Sequence, residues 1–481
     1  AIVGIVALRA TASDTTAVRT EEIVREVPEG PGSSSTVQLD ATVYLPDVSE
    51  PVPAVILAHG FGGDKTSVDG QARDLASRGV VVLAYSARGF GASTGRIGLN
   101  DPDREVADAR ALIDYLATRP EVQLDSPGDP RVGVAGGSYG GALALMAAGT
   151  DSRIDADAAS ITWNDLNQSL FPNYSAAVGT GAPTATPAPS ENGDAGVLKR
   201  GWAGIFFGAG ALPAGAGGGG DTSGPSAGGA GASAPALDPS DPAAACGRFA
   251  LNVCAAYATS AVGGQPSAET TELLRQRSPS SVAASITAPT LLVQGQRDSL
   301  FGLEQADATA RQIADAGGSV QVRWFDGGHD AGGTGPVADA AVADFLLDHL
   351  TGDPHPADPS FTYTLAGDPT DQGDRARDLV ATRYPGLSGE AGTERTDFAL
   401  TSATGTPTQI VARPPGASPS AVSSFPGVGS LSGLPGGASD ALGPLLAGDL
   451  PGQTASFVTE PLERSYTVTG STTVDVTVGP T

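Results

Sequence analysis

The chain has 481 residues, of which 53 are acidic and 27 are basic, so its formal net charge is -26. A surface of this sign repels phosphate backbones and anionic headgroups, which argues against nucleic acid or a membrane surface as a partner. The length allows two or three domains, and two cysteines are too few for a disulfide scaffold or an evident zinc site. No metal and no organic cofactor is expected.

The amino end is a short apolar segment, residues 1–8, followed by Arg9 and small residues. This pattern is typical of the end of a signal-peptide core with its cleavage site, although a short strand would fit it as well. Eight residues cannot span a bilayer. We therefore expect residues 1–20 to be an export-signal remnant or a disordered start, and the protein to be secreted or at the cell surface.

The first regular elements predicted are two antiparallel strands, 22–27 and 37–45, joined by the turn Gly30-Pro31-Gly32. A continuous apolar run at 52–58 follows and ends in a glycine-rich turn, 59–63, as expected at the carboxyl end of a buried parallel strand. A helix, a strand and a second helix are then predicted at 67–78, 80–85 and 103–119. This alternation predicts a parallel sheet covered on both faces.

The segment Val132–Gly141 carries the strongest chemical signal of the chain. It reads as a strand, a sharp turn Gly136-Gly137-Ser138-Tyr139-Gly140, and a helix of good helix formers. Gly-x-Ser-x-Gly in this setting is the nucleophile elbow, in which the serine holds a strained backbone conformation above the sheet. The hydroxyl of Ser138 is therefore the candidate nucleophile, and the amide of Tyr139 at the helix start is a candidate oxyanion donor.

The turn after the 52–58 strand is the expected source of the second oxyanion donor. We assign that role to the backbone amide of Phe61, because an amide of this turn serves it in serine hydrolases of the α/β type. His59 precedes the donor turn, and we expect it to be structural.

A strand is predicted at 158–162. The alternation of strands and helices then stops over residues 163–285 and resumes at 286. We expect them to form a cap over the active site, with a flexible glycine-rich excursion at 208–236. Trp163, Phe171 and Trp202 are candidate pocket residues. Other apolar residues of the cap could line the same pocket, namely Leu166, Leu170, Tyr174, Phe206 and Phe207. The alternative is that all of them form the small core of the cap.

The two cysteines, Cys246 and Cys254, lie within the expected cap. On one straight helix their α-carbons would be roughly 12 Å apart, which is too far for a disulfide. A disulfide therefore requires a turn between them, which Gly247-Arg248 permits, and export favours it. The alternative is two free buried thiols.

Two further strand ends supply the partners that a serine nucleophile needs. Asp298 follows a strand at 290–294, and His329 follows a strand at 320–325. Imidazole takes the serine proton, and a carboxylate fixes its tautomer. The histidines at 349 and 355 lie at a helix end and in a linker, so His329 is the candidate base. Asp326 and Asp330 compete with Asp298 as the acid, but they are too near His329 along the loop.

The order Ser138, Asp298, His329 is the one expected of the α/β-hydrolase fold. From about Val37 to Leu350 the chain resembles the α/β hydrolases grouped with Xaa-Pro dipeptidyl-peptidases and cocaine esterase, on the strength of these residues and the glycines around Ser138. Residues 459–470 resemble the opening of the jelly-roll domain that follows the catalytic domain in that group, and alternating valines at 474, 476 and 478 suit a half-buried strand.

The resemblance implies an α/β-hydrolase fold with a mostly parallel central sheet, a cap insertion and a C-terminal partial β-sandwich. The catalytic domain would comprise 21–162 and 286–351, the cap 163–285 and the β-rich region 352–481. That last region is shorter than in the group, and its residues 403–453 are more typical of a tether than of a sheet. In parts of the group a tyrosine hydroxyl binds the oxyanion, a role that Phe61 can fill only through its amide.

The expected function is an exported serine hydrolase that cleaves an ester or amide of a small molecule or peptide through an acyl-enzyme. The first alternative is an Xaa-Pro dipeptidyl-peptidase, although no acidic group for a substrate's amino terminus is evident. The second is a catalytically idle module for binding at the cell surface, against which the complete set of three catalytic groups argues. The oligomeric state stays open.

Overall fold

A computed structural model of the chain describes residues 16–172, 196, 198–211, 246–330, 333–352, 358–366, 376–387, 396–402, 408–411, 455–470 and 479. The predictions for residues 1–15, for Tyr174, for the glycine-rich segment beyond 211, for most of the 403–453 segment and for the valines at 474–478 lie outside these residues. No helix within the described ranges combines the length and the apolar character needed to cross a bilayer.

A single ten-stranded sheet organises the described part of the chain. The strands are β1 (Val18–Pro28), β2 (Thr36–Pro46), β3 (Ala54–Ala58), β4 (Val81–Tyr85), β5 (Leu124–Ser126), β6 (Asp129–Pro130), β7 (Val132–Gly137), β8 (Ile154–Ser160), β9 (Thr290–Gly295), β10 (Val320–Phe325), β11 (Phe361–Leu365), β12 (Arg377–Ala381), β13 (Thr401–Ser402) and β14 (Phe457–Val458). The large sheet has the order β1-β2-β4-β3-β7-β8-β9-β10-β11-β12, while β5 pairs with β6 and β13 with β14.

The strands from β4 to β11 in this order are parallel, and the pairs β1–β2, β2–β4 and β11–β12 are antiparallel. Parallel strands buried on both faces need continuous apolar sequence, as β3 and β4 have. Along β3, Ile56 belongs to one apolar core and Leu57 to the other, on opposite faces of the sheet. The predicted parallel sheet covered on both faces is the one observed.

Helices cover both faces of this sheet and build the cap. They are α1 (Asp69–Ser77), α2 (Glu105–Leu116), α3 (Tyr139–Ala148), α4 (Leu166–Leu170), α5 (Arg200–Ala211), α6 (Leu251–Gly263), α7 (Ala268–Gln276), α8 (Leu303–Asp315) and α9 (Gly335–Thr351). The buried side chains of α2, α3 and α8 belong to one core, and those of α1 and α9 to the other. Helices α4 to α7 come from the segment expected to form the cap.

Two elements differ from the sequence expectations. The strand predicted at 158–162 is β8, which begins earlier, at Ile154, and ends at Ser160. Strands β11 and β12 were expected in a separate sandwich, but β11 pairs with β10 and continues the central sheet. The reason is that Phe361 is fully buried and its ring packs edge-on against Trp324 of β10, with centroids 4.9 Å apart. Strands β11 and β12 therefore extend the central sheet, while β13 and β14 form a separate pair.

A disulfide joins Cys246 to Cys254, whose α-carbons are 5.4 Å apart. The turn that this distance requires is made at Gly247, which has φ +54° and whose missing Cβ would lie 2.4 Å from the α-carbon of Ala211. A side chain at this position would collide with the end of α5. The disulfide thus links the start of α6 to the loop that follows the 212–245 segment.

Candidate active site

The turn from β7 to α3 presents the hydroxyl of Ser138 above the carboxyl edge of the sheet. Ser138 has φ +54° and ψ -114°, a conformation that L-residues adopt at a cost of about 1–3 kcal/mol. Its amide donates to the carbonyl of Ser160 (2.8 Å), and its carbonyl accepts from Thr162 Oγ1 (2.7 Å). These two bonds from the end of β8 hold the strained turn in place.

The glycines of the motif let strand and helix meet at the distance that this turn requires. A Cβ on Gly140 would lie 2.1 Å from the carbonyl oxygen of Ala58, and one on Gly136 would lie 2.5 Å from the carbonyl carbon of Gly140. Both contacts are with backbone atoms, which cannot move aside without displacing β3 or α3. The motif therefore has a steric reason to carry glycine at both positions.

His329 lies between Ser138 and Asp298, as the sequence predicts. Its Nε2 is 2.9 Å from Ser138 Oγ, and its Nδ1 is 2.6 Å from Asp298 Oδ2. The same oxygen of Asp298 also accepts the main-chain amide of His329 (3.1 Å). This geometry sets Nδ1 as the protonated nitrogen and leaves Nε2 free to accept the proton of Ser138.

Asp298 is further fixed by its own loop. Its Oδ1 accepts the amides of Leu300 (3.0 Å) and Phe301 (2.9 Å), so both carboxylate oxygens are occupied by donors. The two competing acids have other partners. Asp330 accepts the amide of Ser299 (2.7 Å), and Asp326 pairs with Arg297 (2.6 Å). Asp330 therefore braces the loop that carries Asp298 instead of contacting the imidazole.

The two predicted oxyanion donors flank Ser138. Tyr139 is the first residue of α3, and the first amides of a helix have no partner within it. The turn that carries Phe61 is close as well, because a Cβ on Gly60 would lie 3.9 Å from Ser138 Cβ. Among the described residues, neither the amide of Phe61 nor that of Tyr139 has a hydrogen-bond acceptor. Both amides are thus available to a charge that develops beside Ser138.

His59 is a structural residue of the same turn. It is buried, its Nδ1–H donates to the carbonyl of Gly60 (2.7 Å), and its Nε2 accepts the amide of Ala87 (3.0 Å). Burial lowers the pKa of the imidazole, which keeps the ring neutral. His59 thereby ties the turn after β3 to the end of β4.

A buried polar network beneath Tyr139 was not foreseen from the sequence. The hydroxyl of Tyr139 donates to Glu105 (3.1 Å) and accepts the amide of Asn100 (3.0 Å), while Asn100 Nδ2 donates to the Tyr139 carbonyl (2.8 Å). Glu105 also accepts the amides of Gly98 (2.6 Å) and Asp101 (3.0 Å). Burial raises the pKa of Glu105 to about 7. The residue that follows the nucleophile is therefore clamped at its carbonyl and at its hydroxyl.

Two buried ion pairs adjoin this network. Arg88 pairs with Asp108 (2.5 Å) and Arg277 with Asp101 (2.5 Å), and all four side chains are nearly inaccessible to solvent. One sequence signal could have indicated the buried acidic groups of α2. Glu105 and Asp108 fall on the side of α2 that also carries buried Val106, Leu112 and Leu116, where the helical repeat places apolar residues. Charged residues on an apolar helix face require buried partners.

An apolar cavity of about 120 Å³ lies between Ser138 and the cap. Trp163 and Phe171, both predicted as pocket residues, line it, and the cap contributes further aromatic rings, namely Phe206, Phe207, Phe249 and Tyr257. Every described side chain that lines it is uncharged. An apolar group attached to a carbonyl at Ser138 would find its complement here.

Trp202 differs from the prediction, because it is absent from the lining of this cavity. Its ring instead packs edge-on against the imidazole of His329, with centroids 5.9 Å apart, and its Nε1 donates to Ser299 Oγ (3.2 Å). Lys199, at the start of the same helix, donates to the carbonyls of Ser299 and Leu300. Trp202 therefore lies between His329 and Phe206, a residue that lines the cavity.

Comparison with known proteins finds two family models that match separate parts of the chain. Residues 34–192 match the X-Pro dipeptidyl-peptidase (S15 family) model, and residues 251–354 match the model described as TAP-like protein. A curated relative, the quorum-quenching protein AidA of Acinetobacter baumannii (strain MDR-ZJ06), is 30% identical over 139 residues, which are 28% of this chain and 44% of that protein. The match thus spans less than half of that relative's length.

The solved structures to which the chain is similar include an esterase and a peptidase. The acetyl xylan esterase from Paenibacillus sp. R4 is 18% identical, with a TM-score of 0.41, over 69% of this chain and 90% of that chain. The acylaminoacyl peptidase of Pyrococcus horikoshii is 14% identical, with a TM-score of 0.43, over 71% of this chain and 43% of that chain.

Proposed function

We propose that this chain, an α/β hydrolase similar to the X-Pro dipeptidyl-peptidase group, is a carboxylic ester hydrolase that works through an acyl-enzyme at Ser138. The chain of hydrogen bonds from Ser138 through His329 to Asp298 carries the proposal. A serine hydroxyl attacks a carbonyl only when a base takes its proton, and the Nε2 of His329 lies 2.9 Å from it.

The reaction proceeds in two halves. Ser138 Oγ forms a bond to the carbonyl carbon while its proton passes to His329, and Asp298 steadies the imidazolium through Nδ1–H. The tetrahedral oxyanion is held by the amides of Phe61 and Tyr139, the latter at the positive end of α3. The carbon–oxygen bond to the alcohol breaks, and the alcohol leaves with the proton from His329. A water molecule then repeats the sequence on the acyl-enzyme and releases the acid.

The cavity, whose described lining is uncharged, favours an ester with an apolar acyl group over an Xaa-Pro peptide. A dipeptidyl-peptidase must bind the substrate's free ammonium close to the scissile bond, and an ammonium in this cavity would lose its water without gaining a carboxylate. Glu105, the nearby buried carboxyl, is engaged with three donors beneath Tyr139. The apolar lining instead stabilises an acyl chain by about 0.8 kcal/mol for each buried methylene.

Labelling with a fluorophosphonate, followed by hydrolysis of p-nitrophenyl acyl esters and of Ala-Pro-p-nitroanilide, tests the proposal. We expect stoichiometric labelling that Ser138→Ala abolishes and that Ser126→Ala, an exposed hydroxyl deletion in β5, leaves intact. The esters should be cleaved and the anilide left untouched. Cleavage of the anilide at a comparable kcat/KM would establish the peptidase instead. Folded protein that takes no label would leave the alternative of an idle binding module.

A further inference from the structure

Among the described residues that line the acyl cavity, Ser260 has a buried hydroxyl that lacks a partner. Ser260 of α6 lines the cavity and is 3% exposed, and its Oγ makes no hydrogen bond to any described residue. Buried hydroxyls in proteins are almost always hydrogen-bonded, so this oxygen calls for an explanation.

The neighbouring residue shows what a hydroxyl on this helix ordinarily does. Thr259 Oγ1 donates to the carbonyls of Ala255 (3.0 Å) and Ala256 (3.1 Å), one turn back along α6. This back-bonding is the usual fate of serine and threonine in a helix. Ser260 does not share it, so its hydroxyl has no partner within α6, while the residue itself lines the cavity.

A second hydroxyl that the cap offers to the cavity is already engaged. Thr270 of α7 is buried, and its hydroxyl is 3.2 Å from that of Ser267, the residue that caps α7. Tyr257, one turn before Ser260, stacks on Phe207 with ring centroids 3.9 Å apart and closes the cavity with apolar surface. Among the described residues, the cavity therefore has the nucleophile Ser138 on the sheet side and the buried, unpaired hydroxyl of Ser260 on the cap side.

We propose that Ser260 is a specificity-determining residue that binds an oxygen atom in the tail of the acyl group, so that the preferred substrates are esters of hydroxy or oxo fatty acids. The proposal rests on the ester hydrolase function proposed above. Because a serine hydroxyl can both donate and accept, a hydroxyl and a carbonyl on the chain would each satisfy it. An unsubstituted chain fills the cavity but leaves the buried hydroxyl of Ser260 unpaired.

The test compares p-nitrophenyl octanoate with octanoates that carry a hydroxyl at carbon 7 or 8 or an oxo group at carbon 5, 6 or 7. For the wild-type chain we expect kcat/KM to be about 2- to 10-fold higher for at least one oxygenated chain than for octanoate. At 1.36 kcal/mol per tenfold this range equals about 0.4–1.4 kcal/mol, the contribution of one neutral hydrogen bond. Ser260→Ala should abolish the preference, so that the ratio of kcat/KM between the best oxygenated chain and octanoate falls to about 1.

Thr259→Ala is the matched control, because it removes a hydroxyl from the adjacent position of α6 that points elsewhere; the preference should survive it. A wild-type chain that cleaves octanoate and every oxygenated octanoate equally well would overturn the role of Ser260, as would a preference that survives Ser260→Ala. Both results leave the ester hydrolase function standing. Failure to cleave any of these esters while Ser138 still takes the fluorophosphonate would instead count against that function.

Discussion

Replacing Asp298 by asparagine tests the assignment of the acid at the level of single hydrogen bonds. Asp298 is buried and accepts four N–H groups, those of Leu300 and Phe301 on Oδ1 and the amide and Nδ1–H of His329 on Oδ2. Asparagine has one acceptor oxygen. Whichever way its amide turns, the NH2 group faces two donors.

The two orientations have different costs. If the NH2 group faces His329, the imidazole must place its proton on Nε2, which can then no longer accept the proton of Ser138. The loss of the correct tautomer lowers kcat by about 10⁴-fold, or about 5.4 kcal/mol at 1.36 kcal/mol per tenfold. If the NH2 group instead faces Leu300 and Phe301, two buried amides lose their acceptor at about 1–3 kcal/mol each. Either outcome damages the site, and the first one abolishes the base.

The measurement is kcat for a p-nitrophenyl ester, with the thermal unfolding midpoint recorded alongside. We expect Asp298→Asn to lose about three to four orders of magnitude. Asp330→Asn, the matched control one residue beyond His329, should stay within about tenfold of wild type, because the asparagine oxygen can still accept the amide of Ser299. The reasoning fails if Asp298→Asn remains within tenfold of wild type, and fails more specifically if Asp330→Asn is the variant that loses activity.

Three further predictions concern buried groups away from the nucleophile. Asp157 of β8 is fully buried with both carboxylate oxygens unpaired, and burial raises its pKa well above 3.8. The free energy of unfolding should therefore fall by about 1.36 kcal/mol per pH unit as the pH rises from 3.8 to the pKa of Asp157 in the folded chain. Asp157→Asn should remove this slope in urea unfolding at several pH values, whereas exposed Asp103→Asn should not. Burial raises the pKa of Glu105 from 4.5 to about 7. Ionisation of Glu105 as the pH rises from 4.5 to about 7 should therefore lower the free energy of unfolding by about 3 kcal/mol. Glu105→Gln should flatten the corresponding fall in stability, and an unchanged slope would contradict the ionisation. Reduction of the Cys246–Cys254 disulfide should lower the free energy of unfolding of the cap by about 2–3 kcal/mol, measured against the Cys246→Ala variant, which should not respond to reductant.

The central part of the fold and the positions of Ser138, Asp298 and His329 could be read from the sequence because each depends on local pattern. A strand that is buried on both faces must be apolar throughout, and glycine marks the turn that ends it. Three such turns carry the three residues at one edge of the sheet. The boundary of β8 was misplaced for the same reason, since Asp155 and Asp157 interrupt the apolar run that a buried strand ordinarily shows.

Features that depend on how the cap sits on the sheet left no local pattern. Arg277 and Asp101 are 176 residues apart in the chain, and the sequence around each residue does not indicate that the two form an ion pair. Trp202 could be recognised as a buried aromatic residue, but whether it faces the cavity or His329 depends on the rotation of α5 about its axis. Likewise, β11 is a short apolar strand that would suit a sandwich as well as the edge of the central sheet.

The buried ionic network gives these long-range contacts a role in the geometry of the site. Arg277, at the end of α7, donates hydrogen bonds to the carboxylate of Asp101 and to the carbonyl of Gly98. The main-chain amides of Gly98 and Asp101 in turn donate to Glu105, which also accepts the hydroxyl of Tyr139. Tyr139 provides one of the two proposed oxyanion donors. A buried charge that loses its partner costs several kcal/mol, so breaking the ion pair in this network is strongly unfavourable. The cap therefore stabilises the elbow from the side opposite to the sheet, and a displacement of α7 would be transmitted to the amide that faces the reacting carbonyl.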